Sequence, residues 1–142
     1  MLVSQILKQK GDMVFTVAPQ ETVAAAAGLL EARRVGAMVV IDGDAVVGIL
    51  SERDVVRVIA RGGPAALDEP VSGCMTPDVL FARPSETVDI LLERMTDRRI
   101  RHLPVVEGGR LVGIISIGDL VKRKIDETQA EADGLKAYIA AG

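Results

Sequence analysis

The chain lacks most of what reactive or base-stacking sites are built from. It has no Trp, and its aromatics are limited to Phe15, Phe81 and Tyr138, which all but excludes a surface that grips bases by ring stacking. Its single histidine, His102, and single cysteine, Cys74, cannot assemble a zinc finger, a CxxC redox pair or an intrachain disulfide framework. No long basic block occurs, and 17 basic against 20 acidic side chains leave a net charge of −3. Attraction to nucleic acid or to an anionic membrane surface is therefore disfavoured. No secretory leader is legible, because Lys8 and Lys10 follow the first apolar residues and no small-residue cleavage site comes after them. A cytoplasmic protein is the default expectation. Charge breaks every apolar run well before the roughly 18 to 20 residues that span a bilayer.

What is present is aliphatic. Hydrophobic residues make up 49% of the 142 and charged residues 26%, enough for one compact domain or two small lobes sharing a core. The interior is expected to be closely packed Ala, Val, Ile and Leu.

Sliding the chain against itself exposes a duplication. Pro19 matches Pro84, a shift of 84 − 19 = 65. The same ungapped shift pairs Glu21, Thr22 and Val23 with Glu86, Thr87 and Val88, and Arg33 and Arg34 with Arg98 and Arg99. It also pairs Val47, Gly48 and Ile49 with Val112, Gly113 and Ile114, Ser51 with Ser116, and Asp54 with Asp119. Roughly a third of about 44 aligned positions are identical, and many of the others exchange one aliphatic for another. A looser echo precedes each copy, Val3 and Ser4 against Val71 and Ser72, with Leu7 or Met75 as the later apolar residue.

Each copy reads as β-α-β-β-α. Residues 14–17 and 79–82 are short apolar runs closed by a proline turn. A helix follows over about 22–35 in the first copy; in the second, Ser85 is the expected N-cap and Val88, Leu91, Leu92 and Met95 share a face. Hairpins come next, turning at Asp42, Gly43 and Asp44 and at Glu107, Gly108 and Gly109. A second helix starts at Ser51 and stops at Gly62, Gly63 and Pro64; its counterpart starts at Ser116 and is expected to break or bend before the acidic stretch 126–133. Leu135, Tyr138 and Ile139 then form one apolar side of a terminal helix. The predicted class is α/β (α+β): two such repeats related by a pseudo-twofold. Residues 1–63 form the first repeat with its N-terminal segment, 64–70 a connector, 71–124 the second repeat and 125–142 a helical tail.

The element Ser-x-x-Asp, at Ser51 to Asp54 and Ser116 to Asp119, is open to two readings. A serine with a carboxylate three positions on is close to a capping box and would satisfy free amides at a helix start. The same geometry presents amides and a positive dipole end to phosphate, while the carboxylate can accept ribose hydroxyls.

The repeat, with Leu103-Pro104-Val105-Val106 followed by Gly113-Ile114-Ile115-Ser116-Ile117-Gly118-Asp119, resembles the CBS domain, and two in tandem resemble a Bateman module. The likeness covers about residues 3–124. It is nearest to standalone two-CBS proteins, on Ser51-Glu52-Arg53-Asp54 and Arg101-His102-Leu103-Pro104 as well. The resemblance implies regulatory binding of an adenosine-containing effector, AMP, ADP, ATP, NAD(H) or S-adenosylmethionine, in one or both clefts between repeats. It also implies ribose contacts from Asp54 and Asp119, and ribose or phosphate contacts from Ser51 and Ser116. Bateman modules commonly pair into a flat disk, so a homodimer is expected.

Cations for phosphate are unequal in the two copies: Arg53 faces Gly118 in the alignment, and Arg101 and His102 face Gly36 and Ala37. The two sites are therefore expected to differ. Adenine is expected to rest on aliphatic side chains and strand backbone, from Val14, Thr16, Ala37 and Met38 in one copy and Val79, Phe81, Leu103 and Pro104 in the other. The blander role of most of these is core packing.

An enzyme is disfavoured because no nucleophile, base and orienting group can be assembled, and no metal site is expected. A ligand-independent structural or dimerisation module is the main alternative. The client protein is unknown, and neither nucleic acid nor membrane is an expected partner.

Overall fold

The computed structural model describes residues 1–141. Five helices and two small sheets are divided between two compact units, one of residues 14–80 and one of residues 1–13 with 81–141. This division differs from the one expected from sequence. The first 13 residues pack with the second repeat, and residues 71–80 pack with the first.

In the unit of residues 14–80, β1 (Thr16–Val17) runs parallel to β2 (Ala37–Asp42), which is antiparallel to β3 (Ala45–Ser51). Helix α2 (Val23–Arg33) is capped by the Thr22 hydroxyl, which accepts from the Ala25 amide at 3.1 Å. Helix α3 (Glu52–Gly62) follows β3 directly, with Ser51 as N-cap. It ends at Gly63, whose φ of 69° suits a residue without a Cβ. The expected connector is itself structured: residues Pro64–Asp68 form a 3-10 turn with Ala66 buried. Val71 is fully buried in the core with Val17, Val23, Met38 and Leu50. Backbone bonds fasten the start of this lead segment, from Val71 N to Glu21 O (2.8 Å) and from Ser72 N to Pro19 O (2.9 Å).

The other unit repeats the plan. Helix α1 (Val3–Lys10) docks through Val3 N to Glu86 O (2.9 Å) and Ser4 N to Pro84 O (3.0 Å). These are the bonds of Val71 and Ser72 with their acceptors moved by 65 positions, so each lead segment sits on the helix entry of the other copy's repeat. Strands β4 (His102–Glu107) and β5 (Arg110–Ser116) form the hairpin, and both hairpins shift register at matching places, Val40/Ile41 and Val105/Val106. The strand expected over 79–82 reduces to a single parallel bridge, Ala82 with Val105. Helix α4 (Val88–Arg98) is capped by Thr87 and not by Ser85, because the Thr87 hydroxyl is the one in reach of the Ile90 amide (3.3 Å). Both α2 and α4 end on a left-handed arginine, Arg34 and Arg99, each at φ 53°.

Helix α5 (Ile117–Ala141) is continuous over 25 residues, without the break expected before 126–133. Acidic and polar composition alone does not interrupt a helix that contains no proline, and Gln129 Nε2 bridges to Asp133 Oδ1 one turn on at 2.9 Å.

The signature glycines owe their identity to the exchanged segments. A Cβ on Gly48 would lie 2.5 Å from Met75 Sδ, and one on Gly113 would lie 2.6 Å from Leu7 Cδ2.

Candidate functional site

Each hairpin delivers its last strand residue straight into a helix N-cap. Ser51 pairs across the sheet with Ala37, and Ser116 with His102. The turn into the helix is fastened by Glu52 N to Gly36 O (3.0 Å) and by Ile117 N to Arg101 O (2.8 Å). One sheet end in the unit of residues 14–80 thus gathers Ala37, Ser51 and Asp54. The equivalent end in the other unit gathers Arg101, His102, Ser116 and Asp119.

Both Ser-x-x-Asp elements are true reciprocal caps. Ser51 N donates to Asp54 Oδ2 at 2.9 Å while Asp54 N donates to Ser51 Oγ at 3.3 Å. Ser116 N donates to Asp119 Oδ2 at 2.9 Å and Asp119 N to Ser116 Oγ at 3.1 Å. Beyond the cap the carboxylates diverge. Asp54 is only 2% exposed. Arg57 Nη1 donates to its Oδ1 at 3.0 Å, and Ser51 Oγ adds a bond to Oδ2 at 3.1 Å, so both oxygens are engaged. Asp119 is half-buried, and Lys10 Nζ donates to Oδ2 at 2.6 Å, the same oxygen that receives the Ser116 amide. Burial alone would raise the Asp119 carboxyl, but the hydrogen bonds from Lys10 and Ser116 and the lysine's charge outweigh it and hold the group below the usual carboxylate range.

Lys10 and Arg57 are the counter-cations that sequence reasoning missed. Arg57 follows Asp54 by one helical turn, a spacing that pairs side chains and was legible. Lys10 lies 109 positions from Asp119, and only the exchange of lead segments brings it there. Lys10 also donates to Ile114 O at 2.9 Å, which ties the end of α1 to β5.

The remaining expected residues divide into three groups, with Phe81 apart. Arg53 and Arg101 are exposed and form no ion pair among the described residues, and His102 is half-buried at the start of β4. Met38, Leu103, Ala37 and Pro104 are buried, Met38 and Leu103 completely, so their side chains serve the core. Val14 and Val79 are half-buried and Thr16 is exposed, all three in the unit of residues 14–80. Val79 therefore parts from the second-copy residues it was grouped with. Phe81 does not join the Ser116 end: it lines a hollow with Arg83, Glu86, Arg94 and the hairpin tip 107–109, at the far end of β4. There Arg94 is already committed, donating to Glu86 and to Phe81 O.

Cys74 is half-buried, and burial, then the charge of Asp54, push its thiol above the ordinary value, away from the nucleophilic thiolate. Among the described residues no group of three His, Cys, Asp or Glu side chains is placed to hold a metal ion, and no helix is long and apolar enough to cross a membrane. What the ends offer is a capped helix start, a carboxylate and unpaired arginines.

Comparison with known proteins decides the family. The CBS domain model matches residues 10–61 and again 71–126. The chain belongs to the CBS-domain family. It is similar to a CBS-domain containing protein of Agrobacterium tumefaciens, at 46% identity over 87% of this chain and 99% of that one, with a TM-score of 0.86. A CBS domain protein of Pyrobaculum aerophilum solved in complex with AMP matches at 28% identity, over 84% and 89% of the two chains, with a TM-score of 0.74. The CBS domain pair of protein MJ0100, in complex with 5′-methylthioadenosine and S-adenosylmethionine, matches at 25% identity, over 86% and 98%, with a TM-score of 0.76. The tandem repeat read from sequence is thus a pair of CBS domains.

Proposed function

We propose that this CBS pair is a regulatory sensor of a cytoplasmic adenosine-containing effector, AMP, ADP, ATP, NAD(H) or S-adenosylmethionine, and that it acts by binding and not by catalysis. The observation that carries the reading is the Asp119 end: a half-buried carboxylate capping α5 uses one oxygen for Lys10 and Ser116 N. The ribose hydroxyls take the second oxygen, and Ser116, Arg101 and His102 serve the ribose and phosphate. The AMP complex of the Pyrobaculum protein and the MJ0100 complex support the adenosine class.

The magnitudes are sufficient. Burying roughly 150 to 200 Å² of base against strand backbone and the aliphatic wall contributes about 4 to 5 kcal/mol before ordering costs. A few charge-assisted hydrogen bonds at about 1.5 to 3 kcal/mol each bring the total to the roughly 8 kcal/mol of a micromolar complex.

The Asp54 end is the weaker of the two. Its carboxylate has both oxygens engaged, and a ribose reaches it only when Arg57 swings away, leaving Arg53 for phosphate. This occlusion favours a second reading for that end, in which Ser51 and Asp54 act as a cap alone. Extended to both ends, it becomes the ligand-independent structural module. The protein assembles as a homodimer, and effector binding alters that assembly or the grip on a client protein.

Calorimetric titration with AMP, ATP, NADH and S-adenosylmethionine separates these readings. The expected result is micromolar binding of at least one, lost in Asp119→Ala and weakened less in Asp54→Ala. Silence with all four would leave only the structural module.

A further inference from the structure

Helix α5 outruns the unit it belongs to. Its first half is fastened: Leu120 is fully buried, Lys124 Nζ meets Asp89 Oδ1 at 2.9 Å, and the amino terminus of Met1 pairs with Glu127. From Thr128 to Ala141 every described residue is exposed. That is 14 residues, about 21 Å of helix at 1.5 Å per residue. A helix of this length is marginal in water without tertiary support, and Gly134 in its middle weakens it further.

The sequence of this half supplies what would support it. Val121, Ile125, Thr128, Ala132, Leu135 and Ile139 recur at spacings of 4, 3, 4, 3 and 4, the a and d positions of a heptad seam. Val121 is 43% exposed, Ile125 62%, Leu135 59% and Ile139 67%, so the apolar members of the seam face solvent. With Ile125, Ala132 and Ile139 at a, Glu131 falls at g and Lys136 at e. In a parallel, in-register pair Glu131 of one copy meets Lys136 of the other, twice by symmetry. An antiparallel pair that keeps the seam intact sets Lys122 against Lys136 and Glu131 against its own counterpart, so its charge-to-charge contacts are repulsive. Charge therefore selects both the partner and its direction.

We infer that α5 pairs with α5 of a second copy of this chain as a short parallel coiled coil seamed by Val121, Ile125, Leu135 and Ile139. This rests on the homodimer proposed above and adds its interface.

The test is made in the full chain. Light scattering on the wild type is expected to give a dimer, and Ile125→Asp with Leu135→Asp a monomer at the same concentration with the domain melt unchanged. Both side chains are exposed, so folding is spared. Glu131→Lys should weaken the dimer by about tenfold, because it sets lysine against Lys136 in the parallel pairing but only exchanges one like-charge contact for another in the antiparallel one, and Glu131→Lys with Lys136→Glu should restore it. Ile139→Cys should cross-link chain to chain on mild oxidation, whereas the half-buried, high-pKa Cys74 should not. A monomeric wild type overturns the homodimer and the coiled coil together. A dimer that survives both aspartates overturns the coiled coil alone. Failure of the charge swap to restore, or of Ile139→Cys to cross-link, overturns the parallel arrangement.

Discussion

Alanine at Gly48 should destabilise the protein more than alanine at Gly113, although the two glycines are the same position of the repeat. The new Cβ at 48 would stand 2.5 Å from Met75 Sδ, 2.9 Å from its Cγ and 3.1 Å from the Thr76 carbonyl oxygen. At 113 it would meet Leu7 side-chain atoms alone, at 2.6, 3.1 and 3.4 Å. Comfortable carbon contacts begin near ~3.5 Å, so the Met75 sulfur must retreat by about 1 Å. The Thr76 carbonyl is less free to follow, since Ile49 N donates to it at 3.0 Å and Thr76 N donates back to Ile49 O at 2.9 Å. In open space, glycine to alanine inside a strand would stabilise by roughly 0.5 to 1 kcal/mol, so the clash changes the sign. Overpacking costs of about 1 to 3 kcal/mol place Gly48→Ala near 2 to 3 and Gly113→Ala near 1 to 2 kcal/mol. Urea denaturation followed by circular dichroism would read these as lowered midpoints. Met75→Ala in the Gly48→Ala background removes the obstructing atoms, so the double variant should lose at least about 1 kcal/mol less than the sum of the singles. A raised midpoint for either glycine variant, or strict additivity of the pair, would refute the account of why glycine stands there.

Three further outcomes follow from the same geometry. In a double-mutant cycle of Lys10→Met and Asp119→Asn at neutral pH, the coupling should be about 1 to 2 kcal/mol, between the values for an exposed pair and a charge-assisted buried bond. The folded Asp119 pKa lies below its ordinary 3.8, so the unfolded chain binds the proton more readily; the coupling is full above that value and fades as pH falls through the folded pKa. A coupling unchanged in acid would show that charge is not its source. Arg99→Gly should raise the melting temperature, because a left-handed φ of 53° favours a residue without a Cβ by about 0.5 to 1 kcal/mol. Thr87→Ala should cost about 1 kcal/mol and Ser85→Ala almost nothing, read from the same denaturation curves, since only Thr87 caps α4.

Much of this molecule could be read along the chain, because its rules are local. A 65-residue shift in the sequence reappears as matched hairpins, matched register shifts and matched left-handed helix ends. The Ser-x-x-Asp caps were legible for the same reason, since a cap and its amide lie within one helical turn. Local rules also produced the misses. Ser85 looked like an N-cap until the backbone placed Thr87 there, and the acidic run after Lys124 looked like a helix end although nothing in it stops a helix.

What distance along the chain hides, only the tertiary structure decided. Composition and repeat could say that two related carboxylates existed and that their neighbours differed. They could not say that Asp54 would be buried while Asp119 kept a half-open face under Lys10, because burial depends on what packs above a residue. The exchange of lead segments is the physical cause of the second difference: α1 leaves its own repeat, docks on the helix entry of the other and carries Lys10 to Asp119 across 109 positions. The sequence determined the parts and their twofold likeness, and the crossing of two short segments decided what stands beside each carboxylate.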